Sequence, residues 1–209
     1  MSALAIIGAL YSIHVQSRNN DRQHFESNFY NLLDNYTRQR DNVSMWIMGK
    51  PLSDKLYGKA EYHGLKRVLR KQEHLFQGAR CFQIQVVRLR DLIGLEGFSD
   101  TKFVGRKYRE VMANGDSILL LFRLLYHIVT IIDRSGMDDK YYYTRILRAH
   151  ISQSEFCLLA YNCVVGEGRE KFRPLIERYS LLHNLKKENL DSHQRAELRF
   201  FQRKFDNNA

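Results

Sequence analysis

Apolar positions along this chain recur at the three-and-four spacing of helices, and no apolar/polar alternation is long enough to make a strand. Ala3 to Val15 departs from the amphipathic pattern. Its opening turns are apolar on every side, and the run carries no acid or strong base. From Asp21 to about Met48, Phe25, Phe29, Leu32, Leu33, Tyr36, Val43 and Ile47 keep a helical period with charge between them, which continues the leader as one long helix. Residues 48–59, with Gly49, Pro51, Ser53 and Gly58, form a loop. Leu65, Val68, Leu75, Phe82, Val86 and Leu89 carry a further helix to about Leu95, with Gly78 as a kink or junction, before Gly94, Gly97 and Ser99 break it.

Asp116 caps a helix over Ile118 to Ile132, the expected central core helix. Asp138 or Asp139 caps the next, predicted to run unbroken from Tyr141 to Val165 and to stop at Gly166 and Gly168. Two shorter helices follow, Glu170 to Leu182 with Pro174 near its first turn, and Ser192 to Phe205 after the cap Asp191. With no fixed-period repeat, the fold class is all-α, and 209 residues fit one domain or a domain with an appendage.

The leader is the unusual element. A helix over it covers about 20 Å of a hydrocarbon core near 30 Å, so a lone span is uncomfortable. Nothing basic precedes it, and Gln16, Ser17 and Arg18 follow where a signal peptide needs a small-residue cleavage site. Arg18 and Arg22 would hold the body on the cytoplasmic side. The competing expectation is a buried first core helix. Small residues, among them Ala5, Gly8 and Ser12, would let neighbouring leaders approach closely, with Gly8 and Ser12 at a helix-to-helix contact.

Composition adds exclusions: 44% hydrophobic and 27% charged residues rule out a disordered chain, a collagen-like fibre and a multi-span membrane protein. The net charge of +10 draws phosphates of RNA or lipid. Cys81, Cys157 and Cys163 contain no CxxC pair and read as buried apolar fillers in a reducing compartment. No P-loop, HExxH helix or GxSxG elbow occurs, and no histidine cluster suggests a metal, so neither cofactor nor metal is expected.

Arg145-Ile-Leu-Arg-Ala-His150 fits R-x4-H, the signature of HEPN ribonucleases, in which the histidine moves protons and the arginine steadies phosphate charge. Arg178/His183, Arg18/His24 and Arg67/His74 fit at the permitted spacings too, while chance gives about 2.4 matches, so spacing alone selects none. Five residues apart on one helix, Arg145 and His150 stand about 140° apart around its axis, and a site using both favours a subunit interface. The plainer expectation is an arginine paired with acids and a histidine packed at a helix contact. In Tyr141-Tyr142-Tyr143, some rings should pack and others face water or an interface, with base stacking as the functional alternative.

The stretch from Tyr143 to Cys163, continued by Gly168 to Leu185, resembles the putative phage abortive infection proteins. Phe25 to Leu33 is similar to that family's segment after its N-terminal membrane helix, and Gly78-Ala-Arg-Cys-Phe82 to its short glycine-to-phenylalanine motif. Short members with one membrane segment and a divergent R-x4-H resemble the small accessory proteins of type VI-B CRISPR systems. The resemblance implies a divergent HEPN-like helical bundle, with a membrane segment at 1–17 and a cytoplasmic domain at 18–209. It further implies a single-pass protein of the bacterial inner membrane that assembles with itself into a ring-like pore and permeabilises the membrane in antiphage defence. Its partners would be lipid and, functionally, an RNA-guided RNA-cleaving CRISPR effector. Two other functions are an endoribonuclease using Arg145 and His150 across a subunit interface, and a passive RNA-binding scaffold.

Overall fold

In the computed structural model the described residues are 3–48, 73–95 and 101–186. The predicted loop beyond Met48, the start of the helix from Leu65 and the helix over Ser192 to Phe205 lie outside them. The chain is predominantly helical. α1 spans Ala3–Asn42, so the leader and the amphipathic segment form one 40-residue helix. After it come β1 (Ser44–Met48), β2 (Glu73–Gln77), α2 (Ala79–Leu95), α3 (Thr101–Met112), α4 (Asp116–Arg134), α5 (Lys140–Ala149), α6 (Gln153–Val165), α7 (Gly168–Lys171) and α8 (Arg173–Arg178).

The two strands correct the expectation of helix through Met48 and from Leu65 to Leu95. They pair antiparallel, with Met45 opposite Phe76 and both side chains buried, so this one cross-strand pair anchors the two strands to the helical core. Gly78 is the junction: its φ of +57° turns the chain from β2 into α2, and its N–H donates to the Val43 carbonyl at 2.8 Å. Five-residue strands are too short for period-two alternation to stand out from a helical pattern.

α6 is the element buried on every side, from Glu155 through Val164, and α2 and α3 pack against it. α4, the expected central helix, buries Ile118, Leu121, Phe122, Leu125, Ile128, Val129 and Ile132 but leaves Leu120 and Ile131 exposed on its other face. Its N-cap is Gly115 and Asp116 is already helical, near the positive end of the helix dipole, so the predicted Asp116 cap is displaced by one residue. The Asp139 cap is observed, its carboxylate accepting from the Tyr142 N–H at 2.8 Å. α3 had no counterpart in the predicted elements, although Val104, Tyr108, Val111 and Met112 give it a buried stripe.

The predicted helix over Tyr141 to Val165 is two helices. His150 is the C-cap of α5, and Ser152 starts α6 with a capping box: its hydroxyl accepts from the Glu155 N–H at 3.3 Å and the Glu155 carboxylate accepts from the Ser152 N–H at 2.8 Å. The predicted helix over Glu170 to Leu182 is likewise broken into α7, α8 and a turn. α8 closes with Ser180 at φ +52°, where the Leu181 N–H reaches the Ile176 carbonyl and the Ser180 N–H the Glu177 carbonyl, a Schellman arrangement with serine in the position glycine usually takes. All three cysteines are buried as thiols, and burial pushes the Cys81 thiol up to about 11.

Gly166 and Gly168 serve packing. A Cβ on Gly168 would stand 2.2 Å from Asn162 Oδ1, while the Asn162 amide is held by donation to Tyr108 Oη at 3.1 Å. Gly168→Ala is therefore expected to destabilise the body by about 1–3 kcal/mol. Gly136→Ala, whose Cβ would meet nothing within 4 Å, should leave the unfolding midpoint close to the parent in parallel denaturant titrations.

Candidate functional site

α1 has two halves with different surroundings. From Phe25 to Arg40, Phe29, Leu33 and Tyr36 are buried, flanked by half-buried Phe25, Glu26, Leu32 and Arg40, which is one stripe of the helix docked on the body. From Ile6 to His24 every residue is exposed. Ile7, Leu10, Tyr11 and Ile13 are each more than 60% exposed, so the leader is not a buried core helix in the single chain. These nineteen consecutive exposed residues rise about 28 Å, of which the part before Val15 projects past the body. Gly8 and Ser12 lie on this projecting part, and a Cβ on Gly8 would meet nothing within 4 Å. Ala5 lies in the helix with its side chain outside the described residues. No single described helix is long and apolar enough to cross a membrane; α3 and α4, bent 110° apart, pass the length and composition test only as a pair.

Where α1 leaves the body, a cleft of about 780 Å³ opens between it and the α4–α5 turn, lined by Val15, Arg18, Arg22, Met137, Asp138 and Tyr142 among others. Arg18 reaches Asp138 at 2.8 Å across its mouth, but both side chains are well exposed and the pair contributes little. Deeper in, Glu26 accepts from Arg22 at 2.9 Å and from the Tyr143 hydroxyl at 2.8 Å. Those bonds hold its carboxyl below the usual range, the Arg22 bond most strongly. Tyr143 is buried against Phe25 and Phe29 while Tyr141 and Tyr142 are exposed, the division expected of the tyrosine run.

The corner between α5 and α6 is held on α1. Tyr36 donates a short hydrogen bond to the fully buried Glu155 carboxylate, whose other oxygen accepts from Ser152 N–H, and Arg40 Nη1 donates to the His150 carbonyl at 2.8 Å. Burial, then the Glu155 charge, pushes the Tyr36 phenol well above its ordinary value. This network went unpredicted, although Ser152-Gln-Ser-Glu155 carries the S-x-x-E signature of a capping box.

Arg145 and His150 do not form a pair within one chain. Arg145 is exposed on α5, His150 is half-buried at its end, and among the described residues no hydrogen bond joins them. His150 Nδ1 lies 2.9 Å from the Ile146 carbonyl, which can only accept, so Nδ1 carries the proton and Nε2 is the remaining nitrogen for proton transfer. The tertiary structure does bring two of the R-x4-H strings together: Arg148 Nη1 donates to the Ser180 carbonyl at 3.0 Å and the Tyr141 hydroxyl to the Arg178 carbonyl at 3.1 Å. Arg178 itself is committed to Asp133 at 2.6 Å. A second cleft of about 370 Å³, between α4 and α7, is lined by Arg123, Tyr126, His127, Glu167, Lys171 and Phe172 among others. Among the described residues no group of three or more His, Cys, Asp or Glu could hold a metal ion.

Residues 116–190, from the start of α4 past the end of α8, match the family described as "Putative phage abortive infection protein". No curated protein and no solved structure matches the chain. The matched region contains α4, the α5–α6 corner and the Ser180 turn, the part of the fold that fixes where α1 docks.

Two outcomes follow from these networks. Tyr36→Phe leaves one Glu155 oxygen without its buried donor and should cost about 1–3 kcal/mol in chemical unfolding. Asp133, held below the ordinary aspartate range first by the Tyr179 hydroxyl and then by Arg178, contributes stability present above that range, near 3.9, and lost as pH falls through its lower folded value. The acid limb of a stability-against-pH curve should accordingly be shallower in Asp133→Asn.

Proposed function

We propose that this chain is an antiphage effector that inserts the projecting half of α1 into the bacterial inner membrane and permeabilises it by self-association. The supporting observation is the exposure of a continuous, uncharged leader on a helix whose other half is rigidly docked. Leaving Ile6, Ile7, Leu10 and Ile13 in water is unfavourable by roughly 25 cal/mol per Å² of apolar surface, and lipid or neighbouring leaders remove that cost. Ala3 to Ser17 rises only about 22 Å, so several leaders sharing a locally thinned bilayer are favoured over one alone. Arg18 and Arg22 then sit at the cytoplasmic headgroup level.

Ala5, Gly8 and Ser12 occupy one side of the helix at three- and four-residue spacings, a small-residue seam along which copies can approach into a ring. The body is a divergent HEPN-like bundle that sets the angle at which each leader departs. The match over residues 116–190 supports a reading in phage defence, and the accessory role beside an RNA-guided RNA-cleaving type VI-B effector belongs to the same proposal.

Gly8→Leu separates assembly from folding. The position is open in the single chain, so the variant should keep the parent melting temperature while losing the large detergent-extracted particle and the dye leakage it causes in vesicles. A parent chain that cleaves RNA as a compact dimer and leaves vesicles intact would sink the proposal.

A further inference from the structure

The cleft where α1 leaves the body has a charge balance unlike that of the whole chain. The protein carries a net charge of +10, yet here Arg18 and Arg22 are opposed by Asp21, Asp138 and Asp139. Arg22 is committed to Glu26 at 2.9 Å, and Asp139 gives its Oδ1 to the Tyr142 N–H. Arg18 and Asp138 meet at 2.8 Å across the mouth, with side chains 63% and 87% exposed. An ion pair so open to water is weak and separates readily, so both charges are available to a ligand that carries both signs.

The place of the cleft narrows that ligand to a class. Val15, at the end of the uncharged leader, lines it, and Arg18 is the first strongly basic or acidic residue after the leader. With the leader in hydrocarbon, the cleft lies at the headgroup layer, and to that extent this inference rests on the membrane reading. A surface that recruits anionic lipid alone is a basic cluster. Two arginines facing three aspartates suit a zwitterionic headgroup instead, its phosphate on Arg18 and its ammonium on Asp138. Tyr142 adds a further contact: its ring lines the cleft, is 44% exposed and is steadied by an edge contact with Tyr143, so a cation can rest on its face. Carboxylates on successive residues, Asp138 and Asp139, favour an ammonium with N–H donors, which ethanolamine has and choline lacks. The volume of about 780 Å³ is within the range of small-molecule sites, and Val15 and Met137 give the glycerol an apolar wall.

We propose that this cleft binds the headgroup of a phosphatidylethanolamine-type lipid, with the phosphate on Arg18 and the ammonium between Asp138 and the Tyr142 ring. The lipid takes the place of the exposed Arg18–Asp138 contact and fills the crease between α1 and the α4–α5 turn in each copy.

The test uses the full chain and two vesicle preparations, phosphatidylglycerol mixed with an equal part of either phosphatidylethanolamine or phosphatidylcholine, with co-flotation and dye leakage read in parallel. The parent should bind the ethanolamine vesicles about fivefold more tightly. Asp138→Asn should abolish that preference without weakening binding to the choline vesicles, and Tyr142→Leu should reduce it about twofold. Asp138 is too exposed for its loss to unfold the body, and an unchanged melting temperature in detergent checks this. A preference that survives Asp138→Asn would overturn the assignment, since it would then come from bilayer packing. O-phosphoethanolamine that binds the detergent-solubilised parent while the vesicles show no preference would also overturn it, by assigning the cleft to a soluble compound. The two proposals fail separately: leakage that ignores both the zwitterionic lipid and Asp138 sinks this site and leaves the pore, whereas an Asp138-dependent preference without leakage sinks the pore and leaves this site.

Discussion

A buried carboxylate sets the geometry of this protein. Glu155 has no solvent exposure, and its oxygens are occupied by a phenol from α1 and a backbone N–H from the chain entering α6. Neither bond is optional, because an unpaired carboxylate in that position would cost more than a single contact returns. Through it the middle of α1 is held at one register against the α5–α6 corner, and Arg40 holds the same corner one turn further along. With the register set, Phe29, Leu33 and Tyr36 face inward and the helix has no freedom to slide its apolar leader onto the body.

The molecule therefore carries two unlike surfaces at the ends of connected elements. The leader is apolar and uncharged; the α5 face is cationic and aromatic. Between them Glu26, Tyr143, Arg22 and the exposed Arg18–Asp138 pair occupy the crease where α1 departs. A rigid helix that is half docked and half free transmits any tilt of the body to its tip, which is what a membrane-active assembly would use. The stabilising interactions sit where the helix docks, and no described contact binds the tip beyond Val15, which lines the cleft.

Much of this organisation was legible in the chain. The period through Phe25, Phe29, Leu33 and Tyr36 marked the docked stripe, the Asp139 cap was readable from its place before Tyr141, and the three cysteines were placed in the core by type. The hairpin was not, because each strand contributes five residues and Gly78 looks the same to the eye as a helix kink. The α5–α6 break was readable in principle from Ser152 and Glu155, but an apolar run on both sides masks a capping box when periodicity is weighed first. Four Arg/His strings at the permitted x4 to x6 spacings were indistinguishable along the chain. The fold distinguishes them by setting Arg145–His150 beside Arg178–His183 and by giving His150 its Ile146 carbonyl partner.

By itself the sequence determined the helical class, the uncharged leader, the positive charge and the absence of the common hydrolase motifs, since each is a property of residue type and local spacing. Only the tertiary structure decided that the leader stands free of the body, that α6 rather than α4 is buried all round, and that Arg148 Nε is buried without a hydrogen-bond partner among the described residues. Those three depend on which residues distant in the chain come to occupy the same space, and local periodicity carries no information about a neighbour more than a hundred positions away.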